Sequence, residues 1–275
     1  MSEPVKLYRQ PELDHPALIV SWTSDTAGLS ERVSGYLNRR LNHDAFCEIE
    51  PDEFFPLEGV AIENDIVQFP DCRFFAGSRK DIVIFESTPP RFEWYRFLNL
   101  VLDVARDQCN VRELYAIGGM ASLAAHTTPR EILGNFNSAE MKDSLAGYNL
   151  NTALDYETPP GQRPTLNSFL LWTAQRRNLP ATTLWVPIPF YMTGGDPRAQ
   201  LRVLDFFNRR LNLCLEFDDL DEEVRQQDKV IAEARQRSPE LDESIKKLES
   251  GENLSTEESE HLAEEIEKSL RVKRK

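Results

Sequence analysis

Glu113 to Arg130, ELYAIGGMASLAAHTTPR, is the stretch that decides the fold of this chain. An apolar run of strand length breaks at Gly118-Gly119 and then reaches His126 and Arg130. With β-α alternation on either side, the pattern predicts a strand feeding a loop at the carboxyl edge of a parallel sheet. That edge is where open α/β sheets bind ligands. No catalytic partner for His126 or Arg130 stands near them in sequence, so the stretch predicts a place and leaves its chemistry open.

Working outward, Ala17 to Trp22 (ALIVSW) has the continuous apolar character of a buried strand, and a polar turn through Asp25 and Gly28 leads to a helix over 29–41. Val33, Leu37 and Leu41 recur there at four-residue spacing and share one face. Extended segments are predicted at 45–50, 59–69 and 72–76, the middle one a hairpin around Glu63-Asn64-Asp65, and Asp81 to Glu86 (DIVIFE) has the composition of a central strand. Pro89-Pro90 ends it, and Tyr95, Leu98, Leu102 and Ala105 mark a helix over 92–109. Beyond the Glu113 strand, 132–136 reads as extended, 139–145 and 165–178 as helices, and Leu184 to Pro189 as a strand whose prolines place it near an edge or a strand end. A helix over 197–212 follows. Alternation of this kind predicts an α/β fold with helices on both faces of one sheet.

The composition changes near Asp218, which divides the chain into an α/β domain over 1–218 and a charged helical tail over 219–275. No aromatic residue follows Phe217, and 218–275 carries 11 Lys+Arg against 18 Asp+Glu, half of the total net charge of -14. The tail is nevertheless patterned. Ser238-Pro239 offers an N-cap with proline at the first helical position ahead of Leu241, Ile245 and Leu248. Ser255 and Glu258 form a capping box ahead of Leu262, Ile266 and Leu270. Such narrow apolar stripes do not fold alone and must pack on something.

A charge of -14 without a basic stripe argues against nucleic acid as a partner. No apolar run approaches the roughly 18 residues of a membrane span, and the N-terminus lacks the apolar centre of a signal peptide, so a cytoplasmic protein is expected. Cys47, Cys72, Cys109 and Cys214 stand far apart, without a C-x-x-C, and are expected as buried reduced thiols. His15, His43, His126 and His261 are equally scattered. Neither a metal site nor a cofactor is expected.

Two readings of the sheet edge remain open from the residues alone. Asp25, Glu86 and His126 would supply an acid, a base and an orienting group if their strands were adjacent, with Gly118, Gly119 and Arg130 completing a ligand pocket. Against this, Asp25 suits a turn or N-cap, Glu86 a solvated strand end, His126 a loop-fixing role among Thr127, Thr128 and Arg130, and Gly118-Gly119 a close backbone approach or a positive φ. Ser122 lacks the G-x-S-x-G elbow, and GGMASLA at 118–124 fits no phosphate-loop pattern. Trp94, Tyr95, Phe97, Trp172, Phe206 and Phe207 fall at helical spacings that suit core or subunit interface better than a ligand box.

Read in order, WTSDTAG and its helix at 22–41, FPDCRFFAGSRKDIVIFESTPPRFEWYRF at 69–97, the GG and HTTP segment at 118–129, and LWVPIPFY through GGDPRAQLRVLDFFNRRLNL at 184–213 resemble the PAC2 family, whose name comes from proteasome assembly chaperone 2. The resemblance covers about residues 15–225. It implies a three-layer α/β/α fold of the phosphorylase/hydrolase-like kind with a mixed, mostly parallel sheet, homo-oligomers, and an assembly chaperone or scaffold role among protein partners. The alternative it carries is a small-molecule binder or enzyme, a hydrolase or an ATP-grasp-like ligase. His126-Thr127-Thr128-Pro129 stands where many relatives have His-Thr-Arg-Pro, and Pro189-Phe190-Tyr191 where Pro-His-Tyr is frequent. The glycine-rich turn near 157–163 is reduced to Pro160-Gly161. The ending VKRK at 272–275 is not the hydrophobic-Tyr-X tail of archaeal relatives linked to proteasomes.

Overall fold

The computed structural model of the chain describes residues 4–272 apart from 24, 52, 57–60, 64, 69 and 153–156. In chain order its elements are β1 (Val5–Leu7), β2 (Ala17–Trp22), a 3-10 turn (Thr26–Gly28), α1 (Leu29–Leu41), β3 (Asp44–Ile49), β4 (Ala61–Glu63), β5 (Ile66–Gln68), β6 (Cys72–Ala76) and β7 (Ile82–Ser87). There follow α2 (Trp94–Asp103), whose last turn winds as a π-helix over Val104–Gln108, then β8 (Glu113–Ser122), β9 (Ile132–Phe136), α3 (Ala139–Ser144), β10 (Leu150–Asn151), α4 (Leu166–Arg176) and β11 (Ala181–Pro189). Four helices close the chain: α5 (Pro197–Arg210), α6 (Asp218–Arg237), α7 (Pro239–Glu249) and α8 (Thr256–Val272).

Nine strands form one mixed sheet in the order β1-β3-β6-β7-β2-β8-β11-β9-β10. β2 pairs in parallel with β7 and β8, whereas β1, β3, β6 and β7 pair antiparallel in succession. β4 and β5 make the expected hairpin; residues 59, 60, 64 and 69 of that expectation lie outside the described residues. β11 is an interior strand. Pro187 and Pro189 fall within its last three residues, so of the two placements that its prolines allow, the strand end holds.

Residues 1–24, 30–118 and 133–184 form one compact unit. Alternation along β2 explains its layers. Leu18, Val20 and Trp22 face a core shared with Phe97 and Leu98 of α2 and Leu170 of α4. On the opposite face Ser21 Oγ accepts a hydrogen bond from Ser34 of α1 at 3.1 Å, and Ser30 Oγ donates to the Trp22 carbonyl at 2.7 Å. The α2/α4 side is aromatic: Phe74 and Phe85 lie 4.5 Å apart, Phe54 and Phe97 5.0 Å. Trp22 Nε1 finds its acceptor in Asn167 Oδ1 at 2.6 Å, so the indole is buried without an orphaned donor. Cys47, Cys72 and Cys109 are buried here as thiols, and burial pushes each up to about 12. Cys214, expected to be buried, is exposed: it follows α5 on a left-handed residue at φ 57°.

Residues 25–29, 119–132 and 185–275 form a second unit. In it the tail has the seam that its spacing demands. Leu241, Ile245, Leu248, Leu262 and Ile266 are buried, with Leu270 half-buried. Ser238 Oγ accepts from Leu241 N–H, and Ser255 and Glu258 exchange both bonds of the capping box at 2.8 and 3.2 Å. α6, absent from the sequence reading, is joined to α5 through Arg198 and Asp228, and Gln227 Nε2 donates to the carbonyl of Gly195, just ahead of α5, at 2.9 Å.

Candidate functional site

Gly118 and Gly119 do not end the strand. β8 continues through both to Ser122, and the loop toward His126 begins only there. Paired glycines after an apolar run mimic a strand end, but here the pairing outlasts them. The reason for glycine at 119 is close approach. A Cβ there would lie 2.5 Å from the Thr26 carbonyl oxygen and 3.0 Å from Ile188 Cδ1. A left-handed backbone is not the cause, since the positive-φ glycines among the described residues are 28, 161, 195 and 251. Asp25 sits before the 3-10 turn without capping it, and its Oδ2 instead accepts the Gly119 N–H at 2.8 Å. Asp25 and Gly119 are thus brought together.

His126 and Arg130 are brought together as well, in the loop that follows β8. The His126 N–H donates to Tyr191 Oη at 2.6 Å, and His126 Nδ1 lies 3.0 Å from the same oxygen. The Tyr191 hydroxyl therefore ties down both the backbone and the ring of His126. Burial lowers the imidazole pKa, with the Arg235 charge acting in the same direction. Burial likewise raises that of the Tyr191 phenol. The neutral pair persists across physiological pH.

Arg130 is enclosed, with 3% of its side chain exposed against 0% for Asp196. Its Nε donates to Asp196 Oδ2 at 2.6 Å, and its terminal nitrogens donate to the carbonyls of Ala125, His126 and Thr128. Asp196 serves twice, because its Oδ1 also accepts from the backbone N–H groups of Arg198 and Ala199 as the N-cap of α5. The loop is further tied to the tail: Thr127 Oγ1 donates to Glu249 at 3.3 Å, and Arg235 binds both Glu249 and Asp242 at 2.9 and 2.7 Å. This network can hold a loop and place a neutral imidazole, with Arg130 and Arg235 each paired to carboxylate.

Glu86 belongs to the other unit. Its Oε1 accepts from Asn38 Nδ2 at 2.9 Å and its carboxyl is bonded to Ser34, while burial raises its pKa. Asn38 Oδ1 in turn lies 3.2 Å from His43 Nδ1. Tyr191, Asp196, Arg235 and Glu249 escaped the sequence reading as site residues. Asp196-Pro197 ahead of a helical pattern does signal an N-cap, but no spacing signals the pairing with Arg130. Among the described residues no group of three or more His, Cys, Asp or Glu is placed to hold a metal, and no helix is long and apolar enough to cross a membrane.

A mixed sheet with helices on both faces, continued by packed C-terminal helices, defines a protein of the three-layer α/β/α class. The PAC2 family model matches residues 25–235, and the chain belongs to the PAC2 family. No curated protein matches it. Among solved structures it is similar to a Corynebacterium glutamicum protein of unknown function, with TM-score 0.76 and 20% identity over 90% of this chain and 96% of that one. It is similar to a proteasome-assembly chaperone homologue of Mycobacterium tuberculosis, with TM-score 0.70 and 20% identity over 83% and 99% of the two chains. For PbaB, an archaeal proteasome activator of Pyrococcus furiosus, the values are 0.67, 18%, 84% and 98%. At these identities the likeness is one of fold.

Proposed function

We propose that the chain is a cytoplasmic, homo-oligomeric protein that binds protein partners as an assembly chaperone or scaffold. The observation that carries this reading is membership of the PAC2 family together with a fold similar to that of a proteasome-assembly chaperone homologue and a proteasome activator. The chemistry of the sheet edge supports it from the other side. Arg130 spends four hydrogen bonds on Asp196 and its own loop, and His126 is held through Tyr191. We assign to Asp25, Gly119, His126 and Arg130 the work of fixing the loop after β8.

The test is to remove the protein from its source cells and follow multi-subunit complexes by sedimentation. The expected result is an accumulation of unassembled subunits of one complex, reversed by the intact chain. Normal assembly of every complex, with a changed level of one small metabolite instead, would overturn the reading in favour of an enzyme.

A further inference from the structure

The α2 and α4 helices of the sheet unit carry aromatic side chains from the edge of the core outward, with Phe169 and Trp94 half-buried and Tyr95 and Trp172 exposed. Phe97, Leu98, Leu170 and Leu171 are buried, but Trp94, Tyr95, Phe169 and Trp172 emerge on the outer side of the same two helices. There they form one cluster. The rings of Phe169 and Trp172 stack at 5.2 Å, Tyr95 stands 5.9 Å from Trp172, and Trp94 stands 6.4 Å from Phe169. Tyr95 is 50% exposed, Trp172 43%, and the neighbouring Phe92 53%. Contiguous exposed rings of this kind mark a surface that another molecule covers.

The α4 side of this face carries positive charge, while α2 brings both signs with Glu93, Arg96 and Asp103. In a chain of net charge -14, residues 158–177 contain Arg163, Arg176 and Arg177 and no Asp or Glu. Arg177 is taken up by Asp103 and Asn99, and Arg96 of α2 by Glu53. Arg176 is different: it is exposed, its guanidinium lies 5.1 Å from the centre of the Trp172 ring, and it has no carboxylate partner among the described residues. A cation laid on an exposed indole can hold a carboxylate while the ring receives an apolar side chain.

We propose that the α2/α4 face docks an acidic segment of a partner protein, which places a bulky apolar side chain on Tyr95, Phe169 and Trp172 and a carboxylate on Arg176. This rests on the protein-binding role proposed above and names the surface and the chemistry of the partner.

The probe is a short labelled peptide alternating glutamate with leucine and phenylalanine, compared with its lysine counterpart by fluorescence anisotropy on the full chain. The acidic peptide is expected to bind, to weaken as salt rises, and to lose about tenfold or more in affinity in both Trp172→Ala and Arg176→Glu. Because both side chains are exposed, the variants should melt with the wild type. Equal binding of the lysine peptide, unchanged binding in the variants, or no binding at about 1 mM peptide overturns the proposal. So does a fall in the chain's own mass by light scattering in Trp172→Ala, which would make the face a contact between copies. Crosslinked partners that persist in Trp172→Ala cells would sink this proposal while leaving the protein-binding role standing; loss of all partners in wild-type cells would sink both.

Discussion

Arg130 and Asp196 show how much a single pair carries. Both are enclosed, and Asp196 also caps α5, so Arg130→Ala strands a buried carboxylate. Breaking such a pair from one side costs about 3–5 kcal/mol, to be read as a lower midpoint in urea unfolding. Arg130→Met with Asp196→Asn, which keeps the cap and removes both charges, should recover most of it. His43 provides a second test. Its Nε2 is buried without a hydrogen-bond partner among the described residues, and burial beside Arg9 lowers its pKa to about 4. A pKa below the unfolded value of about 6.5 means that this group's contribution is intact above about 6.5 and is lost as pH falls toward 4. Between pH 7 and pH 5 the loss from His43 is about 2 kcal/mol, and the same pH titration of unfolding in His43→Gln should be flatter by that amount. At this scale the sequence was legible only locally. The donors around His126 left its role open between ligand and loop, and Tyr191 and Asp196 are separated from their partners by 65 and 66 residues, so no local pattern links them.

Elements were more legible because periodicity is a property of the segment itself. β2, α1 and β9 fall where ALIVSW, the Val33-Leu37-Leu41 spacing and the 132–136 run place them. β8 ran on past its glycines because a strand's end is set by its neighbours and not by its own residues. Gly119→Ala tests that closeness: the new methyl meets the Thr26 carbonyl at 2.5 Å, so the melting temperature should fall, and Gly119→Ser should do no better. α6 was missed because its buried residues, Leu220, Gln227, Val230, Ile231 and Ala234, are too few and too mixed for a clear stripe. The caps of α7 and α8 were readable because a capping box is local chemistry. Leu262 and Ile266 are fully buried in the tail seam. Truncating either to Ala should cost about 2–5 kcal/mol if α8 unfolds with the rest of its unit. A loss confined to the helical signal of the tail would show that α8 melts alone.

Taken whole, the protein is an acidic PAC2 family member whose tail belongs to the same compact unit as α5 and the loop after β8. Deleting 219–275 removes the partners of Arg198, Thr127 and Gly195, and should yield an aggregating or molten second unit. A truncated chain with unchanged melting temperature and mass would show that those contacts contribute nothing. If the chain serves the assembly of other proteins, pulse-labelled crosslinking in the source cells will catch it in the act. The expected crosslinks join it to newly made subunits of a larger complex and disappear once the complex is complete. Crosslinks that join the chain only to itself, or that persist undiminished on the finished complex, would contradict that role.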